Sequence, residues 1–106
     1  MSVTIKQKNN IMTAQIKGEI DHHTVPSIRD MIDDAFVCSE SVDELVIDFL
    51  EVTFMDSSGI GLVMGRYKLA VANGKKVKVI NLSERDYKIM KMSGIEKLAE
   101  VSKRGE

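Results

Sequence analysis

Apolar and polar positions alternate through the first part of the chain, with Met12, Ala14 and Ile16 sharing one face. Val3–Lys8 and Ile11–Lys17 therefore read as two strands, joined by Asn9-Asn10, a pair that tolerates the positive φ of a tight hairpin. After Gly18-Glu19-Ile20-Asp21 the period changes. Thr24 stands where a helix N-cap is expected, and Pro26 is acceptable in a first turn that has no N–H partner to lose. Val25, Ile28, Met31, Ile32, Ala35 and Phe36 follow at helical spacing, as one apolar stripe laid on a sheet. Leu45–Phe49 is short, β-branched and apolar, which suits a strand with helices on its faces. It leads through Leu50-Glu51-Val52-Thr53 to a junction, Phe54-Met55-Asp56-Ser57-Ser58-Gly59, where a helical pattern begins with Ile60, Val63, Met64, Tyr67 and Val71 and ends near Asn73-Gly74. Val77–Ile80 reads as another strand. Ser83-Glu84-Arg85-Asp86 resembles a capping box with Asp in place of Glu, opening a helix through Tyr87, Ile89 and Met90 that stops at Ser93-Gly94. One more short element is expected after Ile95, including Leu98 and Val101.

This order predicts one α/β domain over residues 1–106. Its sheet is small and mixed, with four to five strands: an N-terminal antiparallel hairpin, then parallel strands with helices packed on them through right-handed crossovers. In such sheets functional loops gather beyond the carboxyl ends of the parallel strands. Here those loops are Asp21-His22-His23-Thr24, Asp56-Ser57-Ser58-Gly59 and Leu82-Ser83, so acids and hydroxyls distant in sequence are expected to be neighbours.

Composition narrows the function. At 106 residues and 43% hydrophobic, the chain holds one modest core and no separate catalytic domain. Fifteen basic against sixteen acidic residues argue against affinity built on nucleic-acid phosphates. The clusters Lys75, Lys76, Lys78 and Asp30, Asp33, Asp34 read as a solvated turn and a solvated helix face. No leader or long apolar span opens the sequence, so a cytoplasmic protein without a membrane anchor is expected. The lone Cys38 follows an apolar helical stretch and reads as a buried structural thiol. Adjacent His22 and His23, expected to point apart, have no ligand partners at metal spacing, and neither metal nor cofactor is expected.

The junction at Asp56 puts hydroxyls at a helix N-terminus, where unpaired N–H groups and the helix dipole favour an anion. Ser57 or Ser58 as a plain N-cap is the simplest account. Asp56 as a strand end and Asp21 as a loop residue bonding nearby amides are open readings of the acids. A serine hydrolase would need a Gly-x-Ser-x-Gly elbow, but Met55 and Asp56 precede Ser57 and Ser58 by two positions. Gly59, Gly61 and Gly65 fit neither a dinucleotide fingerprint nor a phosphate-binding loop, and read as close-packing positions. Phosphorylation of a serine here is better motivated. It would add about −1.5 to −2 charges beside Asp56 and near Asp21, offset in part by the helix, and a partner docked there need not tolerate them.

Four stretches carry a resemblance to a known family: Gly18-Glu19-Ile20-Asp21-His22-His23-Thr24, Phe54-Met55-Asp56-Ser57-Ser58-Gly59-Ile60-Gly61, Gly65-Arg66-Tyr67-Lys68 and Met92-Ser93-Gly94. Together they resemble the STAS-domain anti-sigma factor antagonists over nearly the whole chain. The pattern is nearest to the sporulation branch, the antagonists of the anti-sigma F factor. The resemblance implies a non-enzymatic switch: the unphosphorylated form binds an anti-sigma factor that is also a serine kinase, freeing the sigma factor. The kinase phosphorylates the antagonist, which dissociates, and a PP2C-type phosphatase restores it. The modified residue falls on Ser58, supported by Asp56, Ser57 and Gly59. Asp21, His22, His23, Thr24, Met55 and Ile60 then line the docking face, with Met64 as a further candidate, and the free protein is expected to be a monomer. The alternative within the same fold is a sensor or scaffold domain binding a nucleotide or other small ligand. A phosphoryl-carrying enzyme is the rival from another class.

Overall fold

A computed structural model describes residues 1–106. The elements run β1 (Ser2–Lys8), β2 (Ile11–Ile20), α1 (Val25–Val37), β3 (Glu44–Met55), α2 (Ser58–Ala72), β4 (Lys76–Leu82), α3 (Glu84–Ser93), a 3-10 turn (Ile95–Lys97) and β5 (Glu100–Lys103). They build one five-stranded sheet in the order β1-β2-β3-β4-β5, antiparallel between β1 and β2 and parallel thereafter, as the patterning predicts. Asn9 takes φ +57 in the hairpin, and Gly74 and Gly94 take φ +69 and +84 after α2 and α3.

Strands that follow one another across the sheet, joined by right-handed crossovers, carry every helix on one face. That face buries Met12, Ala14 and Ile16 of β2, Leu45, Ile47 and Phe49 of β3, and Val77 and Val79 of β4 beneath Ile28, Ile32, Phe36, Leu62, Val63 and Met90. The expectation of helices on both faces of β3 is therefore corrected. Val46 and Asp48 look the other way, flanked in register by Thr13 and Gln15 on β2 and by Lys78 and Ile80 on β4. They are buried by their central place in the sheet, and Asp48 accepts from the Leu50 amide and the Asn81 side chain.

Two strands run further than the alternation predicts. β2 continues through Gly18, whose φ of +101 accommodates a register shift, to Ile20. β3 continues past Phe49 to Met55 because two bulges stretch its buried spacing from two residues to three, giving Phe49, Val52 and Met55.

Several side chains sit differently from their expected places. Cys38 caps the end of α1 and is exposed rather than buried. Met31 and Val71 are about half-exposed, because the buried stripe of α1 runs through Ile28, Ile32 and Phe36 and that of α2 through Leu62, Val63, Arg66 and Ala70. Lys75 donates to the carbonyls of Ser39 and Val42 instead of lying free in solvent.

Asp33 leaves the acidic face of α1 to meet Arg66 on α2, Oδ1 to Nε 2.8 Å, with side chains 27% and 8% exposed. The Nε–H does not aim well enough at the oxygen to form a good hydrogen bond. Burial raises the Asp33 carboxyl and lowers the Arg66 guanidinium from their ordinary values, each opposed by the partner's charge. Desolvation thus outweighs attraction on both sides of the pair. Arg66→Met should cost about 2 kcal/mol, short of the 3–5 of a fully buried pair because Asp33 is partly wet. The double variant Asp33→Ala/Arg66→Met should regain at least half of that in urea melts. A double variant no more stable than Arg66→Met would show that attraction dominates.

Candidate functional site

The site is built where β2 and β3 end together. Their ladder closes at Ile20–Met55, and the Asp56 amide still donates to the Ile20 carbonyl at 3.0 Å. The next residues are Asp21 and Asp56, and each organises the turn that follows it in the same way. Asp21 Oδ1 accepts from the amides of His23 at 2.8 Å and Thr24 at 3.0 Å. Asp56 Oδ1 accepts from the Ser58 amide at 2.8 Å.

At α2 the side-chain cap therefore falls on the acid, whereas Asp21 bonds amides that precede α1, whose N-cap position is held by Thr24 as expected. Thr24 makes no side-chain cap to α1; its hydroxyl accepts from the Asp21 amide and donates toward the Glu19 carbonyl, both at 3.0 Å. Ser57 holds the N-cap position of α2 without a side-chain bond, and Asp56 supplies it instead. Three amides at the start of α2 are bonded within the turn. Ser58 donates to Asp56 Oδ1, Gly59 to the Asp56 carbonyl and Ile60 to the Ser57 carbonyl. The expected cradle of unpaired N–H groups is thus filled in large part by the chain itself, and the Ser58 hydroxyl is uncommitted.

Asp21, Thr24, Asp56, Ser58 and Ile60 are half-buried, whereas His22, His23 and Ser57 are exposed. The imidazoles do not point apart. They lie in a turn beyond the strand end, ring centroids 4.0 Å apart at a tilt of 38°. Met55, expected on the docking face, is fully buried. It ends β3 on the helix side, so Phe54, at 46% exposure, faces outward in its place. Gly59 lies directly over Met55, and a Cβ there would come within 2.3 Å of its sulfur. Around Gly61 and Gly65 a Cβ would meet open space, so of the three glycines in α2 only Gly59 is a close-packing position. Met64 is partly buried against the core.

The third expected loop is replaced by a neighbour. Ser83 accepts from the Asp86 amide at 3.1 Å and only caps α3. Arg85 instead reaches the site, donating Nη1 to the Met55 carbonyl at 2.8 Å with its guanidinium 5.2 Å from the Phe54 ring centroid. Sequence reasoning placed Arg85 only inside the cap, and no local pattern marks it. The missing signal is the length of β3, which outruns β4.

The arrangement is a surface rather than a cavity. The largest concavity, about 890 Å³, lies on the open sheet face beside the hairpin, lined by Lys6, Lys8, Thr13, Gln15 and Asp48 among others. No group of His, Cys, Asp and Glu is placed to hold a metal ion, and no helix is long and apolar enough to cross a membrane.

The chain matches the model of the STAS domain over residues 2–104. It belongs to the STAS-domain family. It is 29% identical over 98 residues to the anti-sigma F factor antagonist of Paenibacillus polymyxa, covering 92% of this chain and 83% of that one. It is 30% identical over 106 residues to the anti-sigma-B factor antagonist of Bacillus subtilis, covering 100% and 94%. Among solved structures, unphosphorylated SpoIIAA, an anti-sigma factor antagonist, superposes with a TM-score of 0.79 at 28% identity, over 97% of this chain and 90% of that chain. SpoIIAA in its phosphorylated form superposes at 0.73 with the same identity, over 97% and 93%.

Two expectations follow from the site. Gly59→Ala drives a methyl into buried Met55 and should destabilise by about 1–3 kcal/mol; thermal melts check this, and an unchanged midpoint would show that Met55 has room to move. The Thr24 amide foremost, with that of His23, holds the Asp21 carboxyl below its ordinary 3.8. The stabilisation it gives the turn is complete above 3.8 and fades as pH falls through the lowered value. Carboxyl-carbon NMR should give an Asp21 midpoint below 3.8, with the His23 and Thr24 amide shifts following it. A midpoint at or above that value would contradict the bonding described.

Proposed function

We propose that this protein is an anti-sigma factor antagonist switched by phosphorylation of Ser58. The reading rests on one observation above the others: two acid-organised turns joined at Ile20–Met55 present Asp21–Thr24 and Asp56–Ile60 as one surface, with the Ser58 hydroxyl free. Membership of the STAS-domain family and similarity to antagonists of anti-sigma F and anti-sigma-B factors support it. The unphosphorylated chain binds a kinase-type anti-sigma factor through this surface and releases the sigma factor. The kinase passes the γ-phosphoryl group of ATP to Ser58 Oγ, giving phosphoserine and ADP. A PP2C-type phosphatase returns the serine by hydrolysis. The protein itself is a binding module and catalyses none of these steps.

Charge explains why binding stops. Phosphate adds about −1.5 to −2 charges next to Asp56, and the Ser58, Gly59 and Ile60 amides are already bonded by the chain. The helix dipole offsets only part of the repulsion. The excess charge faces outward, where a docked partner would have to desolvate it. Ser58 is chosen over the more exposed Ser57 because the family's modified hydroxyl is the second of the pair.

The test uses the kinase-type anti-sigma factor encoded in the same genome, ATP and mass spectrometry. Phosphate is expected on Ser58, absent from Ser58→Ala and retained in Ser57→Ala. Ser58→Ala should bind within about twofold of the wild type, and Ser58→Asp at least tenfold more weakly, a difference of about 1.4 kcal/mol. Phosphate on Ser57 alone would overturn the assignment. Equal affinity of the two Ser58 variants would remove the electrostatic switch.

A further inference from the structure

β4 stops pairing with β3 at Asp48–Ile80, so the carbonyls from Phe49 to Met55 have no strand on that side. Two arginines from later in the chain fill the gap. Arg104 Nη2 donates to the carbonyls of Phe49 at 3.1 Å and Val52 at 3.2 Å. Arg85 Nη1 takes the last one, Met55, at 2.8 Å. Its guanidinium is fixed from two further directions, by the Phe54 ring face at 5.2 Å and by the Asp86 carboxylate at 3.3 Å. Asp86 is 4% exposed and so makes a firm anchor.

The bond to Met55 matters because of the peptide it belongs to. The Met55 carbonyl and the Asp56 amide are the two ends of one planar unit. Arg85 of α3 grips the carbonyl while the Ile20 carbonyl of β2 grips the amide at 3.0 Å. A peptide held from both sides fixes the direction in which Asp56 leaves the strand. Asp56 Oδ1 in turn holds the Ser58 amide at 2.8 Å. We infer that Arg85 is a positioning residue for the phosphoacceptor, acting through the Met55–Asp56 peptide and the Asp56 carboxylate. This deepens, and rests on, the reading of Ser58 as the modified residue. Lysine supplies the charge and donors on a single nitrogen but lacks the planar group that bonds the carbonyl while lying on Phe54. The Arg85 side chain is 57% exposed, so truncating it opens no cavity and the fold should survive.

The test compares wild type, Arg85→Ala and Arg85→Lys in the full chain by amide hydrogen exchange and by phosphorylation with the same kinase. In Arg85→Ala the Asp56 and Ser58 amides should exchange about three- to tenfold faster, the change expected from one net hydrogen bond, while Val46 and Ile47 in the sheet centre keep their rates. The kcat for phosphorylation should fall by a similar factor with KM for the antagonist within about twofold, since aim rather than docking is lost. Arg85→Lys should lie between. Unchanged exchange at Ser58, or faster exchange with wild-type kcat, would overturn the role of Arg85. A wild-type chain that accepts no phosphate removes the phosphoacceptor reading and this role together, whereas normal labelling of both wild type and Arg85→Ala removes this role alone.

Discussion

The parallel ladder between β2 and β3 is the constraint on which the site depends. It carries two register shifts and still closes at Ile20–Met55, so two turns remote in sequence start from adjacent strand ends. Without that closure Asp21 and Asp56 would each organise an isolated loop. With it, the two Asp turns form one surface whose backbone is bonded at nearly every amide. The far side of β3 raises a matching problem, because β4 has already ended and unpaired carbonyls would remain. Arg104 and Arg85 answer it, which ties the chain's last residues and α3 to the strand that delivers the site.

Packing beneath the turns serves the same end. Met55 fills the space under α2, and only a glycine at 59 lets the helix start that close. The face is therefore polar and bonded above, tightly packed below. Such a surface presents its side chains in fixed directions, which lowers the ordering cost of docking a partner. The Arg66–Asp33 contact between α1 and α2 contributes differently, since burial works against both of its charges. It specifies where the two helices meet more than it strengthens their meeting.

Much of this was legible in the sequence. The strand and helix order, the hairpin at Asn9-Asn10 and the glycine stops at Gly74 and Gly94 all follow from local patterns that the structure respects. The neighbourhood of Asp21–Thr24 and Asp56–Ser58 follows from the topology alone. Local patterns failed where tertiary geometry overrode a period. The alternation of β2 persists to Ile20, yet Gly18 reads as a break; the bulges in β3 replace a two-residue spacing with three and hide the strand's second half. That hidden half decides the rest, since Met55 turns inward, Phe54 outward, and Arg85 gains a carbonyl to hold. Ser57 and Ser58 looked like caps for the same reason that Asp56 was overlooked as one: all three are good cap residues, and only the backbone geometry chooses among them.

That choice bears on how a modification here would act. Had Ser58 been the cap, a phosphate on its hydroxyl would have displaced a bond that α2 needs, and the switch would have worked by loosening the helix. Asp56 takes that bond instead, through the Ser58 amide, and the next two amides are satisfied by the Asp56 and Ser57 carbonyls. The hydroxyl is then chemically available and structurally idle. A phosphate placed on it leaves the helix start intact and finds the Ser58, Gly59 and Ile60 amides already bonded, so much of its charge is left for solvent or for whatever docks. A binding signal carried by surface charge alone would require such a division of labour: one residue to hold the helix and another, two positions on, to bear the mark.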